Sequence, residues 1–336
     1  MMNKSRIGRR GALALGAGGF AGLMMPMPLS AQSGTPGRIN IVTTAGNNGQ
    51  AFIDIMHSQG FLSKYGLDAE FITAGDGTKI VVALLSGSAD LCRAGGFGQV
   101  LAAIDRGAEM KVVGGAILTT AVGVYSANPD VRTLKDLEGR TVGAGAPGAL
   151  LHQLMVAVMQ KRGVDVGKVD FVNIGSSSQV LKAVVAGRVD AGPCQNDVHY
   201  QQAKYGIHCL SELWTDLPEY PYQAAYASTR ALNGKRDTVV RCMAAFKEFY
   251  DFIQSDAGEG VYIDAFVRLL GEPAAQDAAD QWRFFNQYKP FDIEMPVERI
   301  EYLQRLNIEM GVQTDMIPLD RIIDMSIAED AIRLIG

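Results

Sequence analysis

From Arg38 onward, short apolar stretches alternate with segments of helical period. Arg38 to Thr43 alternates apolar and polar as a first strand, and Gln50 to Gly60 follows as a helix with Phe52, Ile55 and Met56 on one face. Leu67 to Thr73 reads as a second strand. Gly75-Asp-Gly-Thr78 then caps a helix that stops at Gly87, and Ala89 to Arg93 is a third, short buried strand. A glycine-rich loop, Ala94-Gly-Gly-Phe-Gly98, opens a helix to Asp105, and Lys111 to Ile117 is a further strand. Strands alternating with helices across short loops predict parallel β-α-β construction.

The pattern then recurs. Lys79–Val100 has a counterpart in Gln179–Val198, with Ala83, Gly87 and Asp90 matched by Ala183, Gly187 and Asp190 one hundred positions on. Around that copy lies a second α/β run. It comprises strands Arg140–Ala144, Val169–Ile174 and Val189–Gly192, helices Ala149–Arg162 and Asn196–Tyr205, and a closing strand Ile207–Leu210. A supersecondary unit repeated at domain-sized spacing predicts two similar α/β lobes with a cleft between them. We expect residues 38–120 and 225–336 in one lobe and 121–224 in the other, joined at Thr119–Val122 and Tyr222–Ala225. Tyr222 to Ser228 reads as the returning strand. Beyond Asp237 the chain is mostly helical, as in Val240-x-x-Met243-x-x-Phe246 and Ile300-x-x-Leu303-x-x-Leu306. Those helices are expected on the outside of the first lobe.

Composition narrows the possibilities. The chain has 336 residues, enough for two cores, with 48% hydrophobic and 20% charged residues. A net charge of −5 argues against nucleic-acid binding, which needs a basic surface. The four cysteines contain no C-x-x-C pair, so no metal site is expected; whether Cys194 and Cys209 pair is left open. Arg6, Arg9 and Arg10 precede an apolar run from Gly11 to Met25 and a small-residue site at Leu29-Ser30-Ala31. This predicts a cleaved export signal over residues 1–31, its arginine pair like that of twin-arginine signals, with general secretion as the alternative. No cysteine sits at the cleavage site, so no lipid anchor is expected, and no later run is long enough for a membrane helix.

In an open parallel sheet, ligands collect beyond the carboxyl ends of the strands. Six small, polar loops occupy such places and each opens a helix, whose first N–H groups lack internal partners and favour negative charge. Candidate ligand-binding residues are therefore Asn47, Asn48 and Gln50 after the first strand, and Thr78 after the second. Arg93, Gly96 and Phe97 follow the third. In the second run they are Ala146 and Gly148, Ser176 and Ser177, and Asn196. Arg93 is the cation best placed to meet an anion, and Lys79 is a weaker one. Trp214, Tyr220 and Tyr222 either stack on a ligand or line the hinge.

Gly143-Ala-Gly-Ala-Pro-Gly148 matches the dinucleotide motif G-x-G-x-x-G. The acidic residue expected at the end of the next strand is missing, since that strand ends Asn173-Ile174-Gly175, so no cofactor is expected. His57, His152, His199 and His208 have neither metal-ligand spacing nor a carboxylate partner. No nucleophile with an assigned base can be found, and no G-x-S-x-G elbow exists, so the reading is a binding protein and not an enzyme.

Several segments carry a resemblance. They are Phe61-Leu-Ser-Lys-Tyr-Gly-Leu-Asp68, Ala83-Leu-Leu-Ser-Gly-Ser-Ala-Asp90, Lys111-Val-Val-Gly-Gly115, Leu134-Lys-Asp-Leu-Glu-Gly-Arg-Thr-Val142 and Val184-Val-Ala-Gly-Arg-Val-Asp-Ala191. In this order the chain resembles periplasmic substrate-binding proteins of ABC transporters, of the nitrate/sulfonate/taurine and thiamine-pyrimidine-synthase-like group. The resemblance implies a type II periplasmic-binding-protein fold, two lobes joined by two strands and closing on a small-molecule ligand. It also implies a monomer, exported to the periplasm, that delivers its ligand to an ABC permease. Where relatives often carry an aromatic residue and a proline, this chain has Pro193-Cys-Gln-Asn-Asp197. A small organic anion, carboxylate or sulfonate, is the expected ligand, aromatic ones favoured by Phe97 and the tyrosines. The alternatives are a pyrimidine precursor, an enzyme like the thiamine pyrimidine synthase, or a receptor of a non-ABC uptake or sensory system. The cysteine-rich run of that synthase is missing here.

Overall fold

The computed structural model describes residues 36–44, 46–75 and 77–336. The export signal expected over residues 1–31 lies outside them. The ten strands among the described residues are β1 (Gly37–Thr44), β2 (Leu67–Ala74), β3 (Leu91–Gly95), β4 (Met110–Ile117), β5 (Val122–Ser126), β6 (Thr141–Ala144), β7 (Asp170–Asn173), β8 (Gly192–Gln195), β9 (His208–Glu212) and β10 (Gln223–Ser228).

Two sheets share one plan. The first has the order β2-β1-β3-β10-β4, its first three strands parallel and the last two antiparallel to their neighbours. In the second, β8-β5-β9 are antiparallel and β6-β7 parallel. The two pieces meet where Val142 bridges Ala191 and the Gly143 N–H donates to the Ala191 carbonyl at 2.9 Å. The resulting order, β7-β6-β8-β5-β9, repeats that of the first sheet strand for strand.

The hundred-residue repeat in the sequence is the physical core of this likeness. Each preceding helix (Gly77–Ser86 and Ser177–Val185) gives way to a left-handed glycine, Gly87 at φ 82° and Gly187 at φ 63°, where a side chain would be strained. An aspartate then brackets the neighbouring strand. The Asn40 N–H donates to Asp90 Oδ2 at 3.1 Å, and the Thr141 N–H donates to Asp190 Oδ2 at 3.0 Å. Because Ala89–Asp90 and Val189–Asp190 form these brackets, the ladders begin at Leu91 and Gly192, two or three residues after the expected starts.

The chain crosses between sheets twice, at 118–121 and at 217–222. The second crossing precedes the expected Tyr222–Ala225, because Ala224 and Ala225 are already paired in β10, against Gly115 and Gly114 of β4. Helices Thr229–Ile253 and Ser326–Ile335 pack on each other and on the first sheet, as expected. Two others do not stay outside it. Helix Ala275–Tyr288 sets Phe285 5.8 Å from Phe52 in the first unit, while Phe284 lies 5.4 Å from Trp214 and Gln281 donates to Asn196 Oδ1 at 3.0 Å in the second. Helix Glu298–Glu309 bonds Asn307 to Gln153 and packs Tyr302 on Tyr220. Amphipathic spacing marks a buried face and does not say what covers it.

Cys194 and Cys209 lie on either side of β5, paired with Gly123 and Tyr125. Two strand spacings, about 9–10 Å, separate them. That is beyond disulfide reach, and all four cysteines are free.

Burial pushes the Asp190 carboxyl up, but hydrogen bonds from Thr141 and Asn128 and the nearby Arg140 charge outweigh it and hold the value below the ordinary one. Its stabilisation is therefore present above the unfolded carboxylate pKa of about 3.9 and is lost as pH falls through the lower folded value. Asp190→Ala, which orphans the Thr141 N–H, is expected to cost about 1–3 kcal/mol at pH 7. The deficit should shrink below about pH 4. Urea unfolding of both proteins from pH 7 to pH 3 checks this.

Candidate functional site

The carboxyl ends of β1, β3 and β8 and the loop after β7 converge on a cavity of about 490 Å³, within the 300–1,000 Å³ usual for small-molecule sites. One wall holds Thr44, Asn47, Asn48, Gly49 and Arg93; the facing wall holds Ser176, Ser177, Ser178, Gln195 and Asp197. Helix Ala275–Tyr288 closes one side with Asp277, Gln281 and Phe285, and Tyr222 stands in the second crossing.

Arg93 dominates the electrostatics. It sits near the carboxyl end of a central strand and is only 4% exposed. Its guanidinium lies 5.3 Å above the Phe52 ring, and Nη1 donates to the Tyr250 hydroxyl at 3.4 Å. Its Nε has no hydrogen-bond partner, and among the described residues no carboxylate pairs with it. A buried charge without a counterion is costly unless something supplies the missing negative group. Phe52 is itself braced, 5.1 Å from Phe249 and 5.5 Å from Phe291, so the guanidinium rests on a rigid aromatic floor.

Backbone donors surround the same space. Helix Asn47–Ser58 starts at the cavity with no side-chain cap, leaving its first amides to face it. Asn48 is oriented by the Tyr262 hydroxyl, which donates to Asn48 Oδ1 at 2.8 Å. Across the cavity, helix Ser177–Val185 is capped when the Ser176 N–H donates to Gln179 Oε1 at 2.9 Å, and Gln195 Nε2 donates to Ser177 Oγ at 3.1 Å. Burial pushes the Tyr222 hydroxyl up to about 12, with a hydrogen bond to Gln195 acting in the opposite direction. Burial likewise raises the Asp197 carboxyl, and the neighbouring Asp277 charge adds to the effect.

Of the residues expected from the sequence, Asn47, Asn48, Arg93, Ser176 and Ser177 meet in this cavity. Gln50 is exposed beside it. Phe97 is buried against Tyr226 at 5.8 Å, Gly96 abuts Leu150, and Asn196 turns away to accept from Gln281. Thr78, Ala146 and Gly148 line a different, larger cavity of about 960 Å³ between helices Gly77–Ser86 and Phe97–Asp105. The charged groups there, Arg106, Glu109 and Arg230, are exposed to solvent, so it offers no buried countercharge. The Gly148 N–H in the G-x-G-x-x-G loop is spent on His152 Nδ1 at 3.2 Å. Trp214 and Tyr220 belong to the core, and the histidines pack against Phe71, Phe171 and Trp214 or bond the Val131 carbonyl. Lys79 lies outside the cavity wall.

Sequence reasoning missed Asp197, Asp277, Gln281, Phe285 and Phe291. A signal existed: Asp277, Gln281 and Phe285 recur every four residues, one stripe of a helix. At the end of β8 and the start of the 3-10 helix Asn196–Gln201, Gln195 and Asp197 line the cavity while Asn196 does not.

This fold is the periplasmic-binding-protein fold. The periplasmic aliphatic sulphonate binding protein SsuA from Escherichia coli superimposes with a TM-score of 0.70 at 19% identity, over 86% of this chain and 92% of that one. The chain belongs to the NMT1/THI5 like family, whose profile matches residues 49–259. Its relatives include a Bacillus subtilis protein provisionally named binding protein YtlA, 21% identical over 91% of this chain and 93% of that one. Another, from Brachyspira hyodysenteriae, is provisionally named an ABC transporter periplasmic binding protein; it is 28% identical over 45% of this chain and 43% of its own. These are names of binding proteins and not of enzymes, in keeping with the reading of the sequence.

Arg93→Met removes the unpaired charge and keeps most of the volume. It is expected to leave the unliganded protein as stable as the parent or to stabilise it by about 1–3 kcal/mol. Equilibrium unfolding in urea at pH 7 checks this; a marked loss would show that the guanidinium is held for the fold alone.

Proposed function

We propose that this chain is an exported solute-binding protein. It captures a small organic anion, a carboxylate or sulfonate, in the cavity around Arg93 and hands it to an ABC permease. The observation that carries the reading is the buried Arg93 guanidinium, which faces a solute-sized cavity with no counterion among the described residues. The ligand's acid group supplies the missing charge. The amides at the start of helix Asn47–Ser58 and the Ser177 and Ser178 hydroxyls complete its hydrogen bonds. The aromatic rings favour an apolar or aromatic body over a bare inorganic ion.

In this reading residues 38–120 and 225–336 form one lobe and 121–224 the other. The crossings at 118–121 and 217–222 serve as the hinge, and closure excludes water from the ion pair. The names of the SsuA and Brachyspira proteins, a sulphonate binder and an ABC transporter component, support the ligand class and the delivery route. The leader at residues 1–31, with its arginine pair, supports export, and the chain works as a monomer. No helix among the described residues is long and apolar enough to cross a membrane; in this reading the permease is a separate chain.

Thermal unfolding across a panel of carboxylates and sulfonates tests the proposal. A ligand at a hundredfold excess over its Kd adds about 2.7 kcal/mol, a rise of several degrees in Tm. Arg93→Met is expected to weaken that ligand about a hundredfold, since it leaves the acid group buried and unpaired. Small-angle scattering should show a smaller radius of gyration with ligand bound. A panel without any response would overturn the reading.

A further inference from the structure

The cavity holds a second pole of opposite sign. Asp197, from the turn after β8, and Asp277, from helix Ala275–Tyr288, both line it. Among the described residues neither forms an ion pair. The Asp197 carboxylate accepts from the adjacent Val198 N–H at 2.9 Å and from its own backbone N–H, and Asp277 Oδ1 accepts from Gln201 Nε2 at 2.9 Å. Lys204, whose charge acts on Asp197, is exposed and donates to Gln201 Oε1. Among the described residues neither carboxylate receives a donor from another side chain except the Gln201 amide on Asp277.

Arg93 lines the same cavity, almost fully buried and with its Nε unpartnered, yet it does not close on either aspartate. The rings of Phe266, Phe285, Phe291 and Tyr222 line the same cavity. Burial and the neighbouring Asp277 charge both disfavour the charged form of Asp197. A cation entering beside the two aspartates would relieve both costs, and the rings would stabilise it through their faces.

We propose that Asp197 and Asp277 form a cation subsite, so that the ligand is a zwitterion. Its acid group lies on Arg93, and a protonated or alkylated nitrogen lies on the two aspartates. This rests on the reading that the cavity binds an organic anion, and adds the chemistry of the ligand's other end.

Calorimetry on the full chain with matched pairs separates the two claims. The pairs are 4-methylbenzoate with 4-(aminomethyl)benzoate, and butyrate with 4-aminobutyrate and its trimethylated form. The nitrogen-bearing member is expected to bind at least tenfold more tightly. Asp197→Asn should abolish that preference without weakening the plain acid, and Asp277→Asn should reduce it. Because a substitution can disturb folding, each variant's affinity for the plain acid serves as its internal control. Plain acids binding as tightly as their amino partners, with the ratio unchanged in Asp197→Asn, would overturn the zwitterion and leave the anion reading intact. No binding by either class would overturn both. A trimethylated ligand that outbinds the ammonium would assign the subsite to the rings as well as the carboxylates.

Discussion

A buried guanidinium that pairs with no carboxylate among the described residues is the constraint on which the rest of this structure depends. Arg93 lies near the carboxyl end of β3, inside the sheet, with a phenylalanine ring beneath it and one tyrosine hydroxyl beside it. Neither neighbour carries a negative charge, so neither neutralises it. Surroundings that merely tolerate a charge are poor for stability and well suited to recognition, because the strongest interaction available is reserved for a molecule from outside.

The aromatic cluster carries the cost. Phe52, Phe249, Phe285 and Phe291 interlock with ring centroids 4.8 to 5.8 Å apart. Phe52, Phe249 and Phe285 come from three helices and Phe291 from the segment that bridges Ile117, and burying them contributes several kcal/mol at about 1.5–3 kcal/mol per side chain. Phe52, Phe285 and Phe291 also line the cavity, so packing around the first sheet also fixes the height and orientation of the guanidinium. Stability and recognition meet in one set of side chains.

Symmetry between the two sheets explains where the polar loops go. Aspartate brackets at Asp90 and Asp190 set the register of β3 against β1 and of β8 against β6. The carboxyl ends of these strands are thereby aligned within each sheet. Helix Ala275–Tyr288 breaks the symmetry. It reaches Phe52 on one side and Asn196 on the other, so any opening of the cavity must part the Gln281–Asn196 bond or carry the helix with one half.

Much of this was legible from residue order alone. The β-α-β alternation, the hundred-residue echo, the capping glycines and the cationic strand end at Arg93 are local facts, because each depends on neighbours within a few positions. Strand starts were misplaced by two or three residues, since the aspartate brackets bond to strands about fifty positions away. Half of the anticipated contact residues went to other surroundings for the same reason. Phe97 is as loop-like in sequence as Asn47, yet tertiary packing put it beneath Tyr226. The aspartates of the second pole were visible as residues and invisible as a pair. One belongs to a turn and the other to a helix eighty positions later, and only the folded chain brings them to the same cavity. Periodicity along a chain encodes which faces are buried; which faces meet is decided by packing in three dimensions, where shape and charge are matched between segments that have no relation in sequence.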